Sequence, residues 1–127
     1  MKFVKICLLF FIVACTCAES LKELNKKMVC AVNKEREKYG LPYLALSDNL
    51  IQAAQRHSEY QYKNKSVTHD ENIKGYEKSW DRIKQSGFKN QAYTGENVAG
   101  GYKTIEEVMK GWMKSKGKLY IKIKKNK

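Results

Sequence analysis

The sequence predicts one mostly helical domain closed by at most a short strand, and three observations carry that prediction. Apolar residues recur at steps of three and four in three long segments, within residues 21–39, 48–61 and 105–113. They alternate with other residues only at the end, at Leu119, Ile121 and Ile123. The chain has 127 residues, and with an export leader set aside the remainder suffices for one modest core and no second domain. Internal repeats are not visible.

The leader is residues 1–18. Lys2 and Lys5 form a basic start, and Ile6 to Ala14 form an apolar run of export-signal length. The run breaks at Cys15-Thr16-Cys17-Ala18, short of the about 20 apolar residues a membrane span needs. Thr16 and Ala18 suit cleavage before Glu19, which predicts a secreted, extracellular protein. A second cut stays open, because Ile12-Val13-Ala14-Cys15 has the form of a lipobox, and acylation of Cys15 would anchor the protein to a membrane.

Three of the four cysteines, Cys7, Cys15 and Cys17, leave with the leader. Cys30 then has no partner within the chain, so a disulfide framework is excluded and the fold must rely on its core. In the helical stretch Met28 to Val32 it is expected to be a buried, inert thiol. The formal charge of +12 falls by two with Lys2 and Lys5. Such a balance favours loose attraction to anionic lipids, acidic glycans or nucleic acid without naming one, and a merely solvated cationic surface is the reading preferred for it. No motif for specific nucleic-acid recognition is present, and the protein is read as a monomer.

The first helix runs from Leu21 to Tyr39 with Leu24, Met28 and Val32 on one face, and Gly40 and Pro42 end it. Ser47-Asp48-Asn49 offers N-cap chemistry for a second helix, with Leu50, Ile51, Ala54, His57 and Gln61 inward. Asn64-Lys65-Ser66 beyond it has the form of a glycosylation sequon and is expected on the surface. Residues 64–103 are polar and turn-rich, the kind of long connection that carries function, broken by a short helix at Ser79–Gln85 that stops at Gly87. Thr104 and Glu107 then form a capping box for the clearest helix. It presents Ile105, Val108, Met109, Trp112 and Met113, with Lys110 and Lys114 near its C-terminal dipole and Gly117 as its stop. Residues 118–127 form a lysine-rich tail, for which a short edge strand and a frayed basic end fit equally.

Catalytic signatures are absent: there is no HExxH, GxSxG, Walker or CxxC spacing. His57 lies on the inner face of the second helix, where a hydrogen-bonded structural histidine is expected. His69, in the turn Val67-Thr68-His69-Asp70-Glu71, is placed to meet Glu96 across the loop.

These residues resemble the CAP superfamily, whose SCP domain unites cysteine-rich secretory proteins, antigen 5 allergens and plant pathogenesis-related proteins of class 1. The resemblance runs in order through Val32-Asn33-Lys34-Glu35-Arg36, Gly40-Leu41-Pro42 with Leu44, Ala53-Ala54 with His57-Ser58, and Thr68-His69. It continues through Asp81-Arg82-Ile83, Gly87-Phe88, Gly95-Glu96-Asn97-Val98-Ala99-Gly100-Gly101-Tyr102, and Val108 with Trp112-Met113. Without disulfides the chain looks like the bacterial and fungal branch. The resemblance implies an α+β fold, an α-β-α sandwich with a small antiparallel sheet. Because the family continues beyond Gly117 through strands that this chain replaces with its tail, it also implies a partial domain at 19–117. That domain would be mostly helical, with part of its core open to water. A genuine tail and a shifted reading frame both account for such an ending.

By the same resemblance, His69 and Glu96 belong to a cleft that can bind a divalent cation, and imidazole and carboxylate ligands suit zinc. The family's second cleft histidine corresponds to Lys118 in Ser115-Lys116-Gly117-Lys118. A charged ammonium has no lone pair, so Lys118 is expected to weaken metal binding and to serve instead as the counter-charge of Glu96. The function implied is that of a secreted, non-enzymatic CAP-domain protein binding lipids, sterols or surfaces. Two other classes stay open. One is a metal-assisted hydrolase with Glu96 as base; the other is a cationic binder of membranes or glycans working through the tail.

Overall fold

A computed structural model describes residues 20–89 and 94–115. Four helices follow one another: α1 (Leu21–Glu37), α2 (Asp48–Asn64), α3 (Ser79–Gln85) and α4 (Ile105–Lys114). α1 packs against α4, and α2 against α3. No strand occurs among the described residues, so the helices of the expected sandwich are present there and its sheet is not. The export leader with Cys15, the stop at Gly117, Lys118 and the whole tail lie outside the described residues.

Each helix begins and ends for local reasons. Ser20 caps α1 by accepting a hydrogen bond from the Glu23 amide at 3.2 Å. Ser47 sits at the N-cap of α2, but its side chain makes no capping bond, so Asp48 in the first turn is what favours that end. The capping box of α4 is complete: Thr104 Oγ1 accepts from the Glu107 amide at 3.2 Å, and Glu107 Oε2 accepts from the Thr104 amide at 3.3 Å. At α3 the Lys78 amide donates to Asp81 Oδ2 at 3.0 Å.

The turn after α1 is built by two side chains of that helix. Arg36 is buried and its Nε donates to the Pro42 carbonyl at 2.8 Å. The Asn33 side chain pairs with both backbone groups of Leu44, donating to its carbonyl at 2.9 Å and accepting from its amide at 2.8 Å. Asn33 therefore does for one residue of extended chain what a neighbouring strand would do. This explains why Asn33, Arg36 and the Gly40-Leu41-Pro42 stretch occur together.

The apolar core of the described residues is thin, with Leu41, Ala53, Ile83 and Met109 its buried hydrophobic members. Leu21 and Leu24 of the α1 stripe are exposed, in keeping with the expectation that part of the core lies open. Two expectations are corrected. Cys30 is exposed rather than buried. It follows Met28 by two residues, a rotation of roughly 200° around the helix, and so falls off the apolar stripe. On α2 it is Ala53, not Ala54, that turns inward, because the buried line runs through Ala53 and His57 one turn apart.

Candidate functional site

The polar centre of the molecule is a chain of charges joining α2, α3 and the two long loops. Glu71, 4% exposed, is held on three sides. Arg56 Nη1 donates to its Oε2 at 2.5 Å, His57 Nδ1 stands 2.9 Å from its Oε1, and Arg82 Nε lies 3.6 Å from Oε1. Arg82, 2% exposed, continues the chain: its Nη2 donates to Glu96 Oε2 at 2.6 Å and to the His69 carbonyl at 3.0 Å. Its Nη1 donates to the Tyr76 carbonyl at 3.1 Å. On the far side of Glu96, His69 Nδ1 stands 3.0 Å from Oε1.

The histidine assigned to structure fulfils that role. His57 is 3% exposed, its Nε2 donates to the Thr68 carbonyl at 2.7 Å, and its ring stacks on Tyr60 with centroids 6.2 Å apart. Both ring nitrogens therefore face an oxygen of the protein. Arg56 lies over the Tyr76 ring at 3.6 Å, which packs the 71–78 loop against α2. Among the described residues no buried side-chain nitrogen or oxygen lacks a partner. Buried charge is tolerable only when paired and hydrogen-bonded, and this network meets that condition.

His69 and Glu96 are brought together as their loops suggest, with the histidine 61% exposed and the glutamate 19%. Glu96 is positioned by its neighbours in sequence. Trp112 Nε1 donates to the Val98 carbonyl at 2.9 Å and ties the loop to α4. A Cβ at Gly100 would stand 2.5 Å from Val67 Cγ2, so any larger residue would push Val67 or the loop aside where it lies against the 66–70 turn. The counter-charge found at Glu96 is Arg82, whereas the expected one, Lys118, lies outside the described residues.

This arrangement bears on the cation. No group of three His, Cys, Asp or Glu able to hold a metal occurs among the described residues. His69 and Glu96 thus offer two ligands where zinc normally takes three or four. The Arg82 guanidinium already occupies one carboxylate oxygen and adds positive charge beside the other. The described residues do not by themselves fit a zinc site.

Sequence reasoning missed Glu71, Arg56 and the bridging role of Arg82. Nothing in helical periodicity marks a buried arginine beside Ile83. The one available signal is that Arg82 stands next to an apolar residue in a helix of 7 residues, too short to stand without strong tertiary bonds.

The helices, the doubly held Glu96 and the Asn33–Leu44 clamp are the setting in which family membership can be judged. The chain matches the CAP (cysteine-rich secretory protein) family over residues 29–123 and belongs to it. It is 37% identical over 98 residues to the uncharacterized protein YkwD of Bacillus subtilis (strain 168), an alignment that covers 77% of this chain and 37% of that protein. The chain thus spans little more than a third of that relative's length. No solved structure gives a significant match.

Proposed function

We propose that this CAP-family protein is exported and acts outside the cytosol as a non-enzymatic binding domain that takes up a lipid or sterol, an anionic amphiphile fitting best. The observation that carries the reading is the groove of about 730 Å³ between α1 and α4. Ala31, Ile105, Met109 and Met113 give it an apolar lining, with Lys34 and Lys110 beside them. Methionine fills irregular space around a flexible chain, and the ammonium groups suit an anionic head. Glu35 and Glu106 also line the groove; the Glu35 carboxylate is bonded to Lys38 at 2.6 Å, and the lysines of the lining outnumber the two glutamates. Glu96 is engaged at both oxygens, by Arg82 and by His69, which gives it a structural role in bracing its loop.

The test is titration of the full chain with a fluorescent long-chain fatty acid. Saturable uptake that the double substitution Lys34→Glu and Lys110→Glu removes is expected; no saturable uptake, or uptake indifferent to both lysines, refutes the reading. Export is checked by sequencing the N-terminus of the released protein, which is expected to begin at Glu19. An acylated Cys15 would make the protein membrane-held instead.

A further inference from the structure

We infer that a second groove, beside the C-terminal end of α2, is a binding site for an anionic glycan, a short oligosaccharide bearing uronic-acid carboxylates. The first indication is in the backbone. Lys65, just past α2, adopts the left-handed conformation at φ 50° and ψ 38°, and it is the only non-glycine with positive φ among the described residues. The bonds that close this turn, from the Lys65 amide to the Tyr62 carbonyl at 3.2 Å and from the Ser66 amide to the Gln61 carbonyl at 3.1 Å, need no side chain at position 65. Glycine is the residue that fits such a position without penalty. A cation near the helix end suits the dipole, but Lys63 in the last turn already supplies one. A second lysine, held where a side chain is disfavoured, points to a use for its charge.

The groove next to this turn has a volume of about 540 Å³, within the range of small-molecule sites. Ser58, Gln61, Tyr62, Lys63 and Lys65 line one side, and the loop at Gly100, pressed against Val67, forms the other. No Asp or Glu is among the described residues lining it. Gln61 Oε1 accepts from the Thr68 amide at 3.3 Å, which leaves its amide hydrogens as donors.

Tyr62 is 87% exposed, a flat ring flanked in sequence by Gln61 and Lys63. The apolar C–H face of a pyranose ring packs on such an aromatic surface, the amide and hydroxyls meet sugar hydroxyls, and two ammonium groups meet carboxylates. The aliphatic lining, Val67 and Ala99, is too short to take an acyl chain. A sugar therefore fits better than a lipid tail. The site is separate from the α1–α4 groove and stands or falls without it.

The experiment titrates the full chain at physiological salt with hyaluronan tetrasaccharide, with neutral chitotetraose and with phosphatidylglycerol vesicles. Saturable binding of the charged tetrasaccharide is expected, roughly tenfold or more tighter than that of the neutral one, and weakened about tenfold by Lys63→Glu with Lys65→Glu. Tyr62→Ala is expected to weaken it as well. Lys65→Gly separates function from folding, because it should raise the thermal midpoint while weakening tetrasaccharide binding. No saturable binding, equal affinity for the neutral sugar, or unchanged binding in Lys65→Gly overturns the proposal. So does a result in which the Lys63 and Lys65 substitutions abolish vesicle binding while the tetrasaccharide does not bind, since the groove is then a headgroup site.

Discussion

Arg82 Nη2 lies 2.6 Å from Glu96 Oε2, and the same guanidinium faces Glu71 through its Nε at 3.6 Å, so one buried side chain from a 7-residue helix links the two carboxylates of the centre, while Arg56 pairs directly with Glu71. Helix α3 is thus held as much by this arginine as by Ile83. Glu96, which the family resemblance assigns to a cation cleft, is here engaged from inside the protein.

Replacing Arg82 by Ala is expected to cost about 3–5 kcal/mol, because it leaves two carboxylates without their shared partner. That is a large share of the margin of a small domain, commonly about 5–15 kcal/mol. Urea unfolding of the two proteins measures it, and a loss below about 1 kcal/mol would show that the bridge is not what holds α3.

The two histidines are expected to differ sharply in stability. His57→Ala removes a buried ring, leaves the Thr68 carbonyl without its donor and leaves Glu71 Oε1 only the more distant Arg82 Nε at 3.6 Å, a loss of about 2–4 kcal/mol. His69→Ala, at an exposed contact with Glu96, is expected to change stability by no more than about 1 kcal/mol. Parallel denaturation curves decide it; equal effects would contradict the assignment of His57 to structure and His69 to the surface.

Acid should expose the pairing of Asp70 with Lys78. The hydrogen bond from Lys78 Nζ, at 2.7 Å, holds the Asp70 carboxyl below the ordinary aspartate value of 3.8. A carboxyl whose pKa is lowered by folding stabilises the fold above its unfolded value and loses that contribution as pH falls through the folded one. The stability difference between wild type and Lys78→Gln should therefore be constant above about pH 5 and shrink below pH 4. Lack of any shrinkage would remove the pair from the account.

Zinc added to the full chain is expected to give no tight one-to-one site in calorimetry. The donors His69 and Glu96 are too few among the described residues, and Arg82 shares the carboxylate. A stoichiometric site that Glu96→Gln and His69→Ala both abolish would overturn this and return the cleft to the family pattern.

The local elements were legible in the amino-acid sequence because their causes lie within a few residues. Leu24, Met28 and Val32 mark α1, Thr104 and Glu107 cap α4, and Ser79–Gln85 is bounded as expected, since helical spacing and capping act over three or four positions. The order of these elements also carried the family resemblance, and the meeting of His69 with Glu96 came with it. The inward residue of α2 and the exposure of Cys30 were not legible, because which side of a stripe is covered depends on what packs there. The centre of the site was hidden for the same reason. Arg82 and Glu96 are 14 residues apart and His69 and Glu96 are 27 apart, and no periodicity couples such positions. The sequence alone determined where the helices lie and how α4 is capped, though it carried α1 to Tyr39 where the helix ends at Glu37, and it determined which family the chain resembles. Only the tertiary structure decided that an arginine completes Glu96, because burying a carboxylate forces the fold to bring it a partner from whichever element lies nearest.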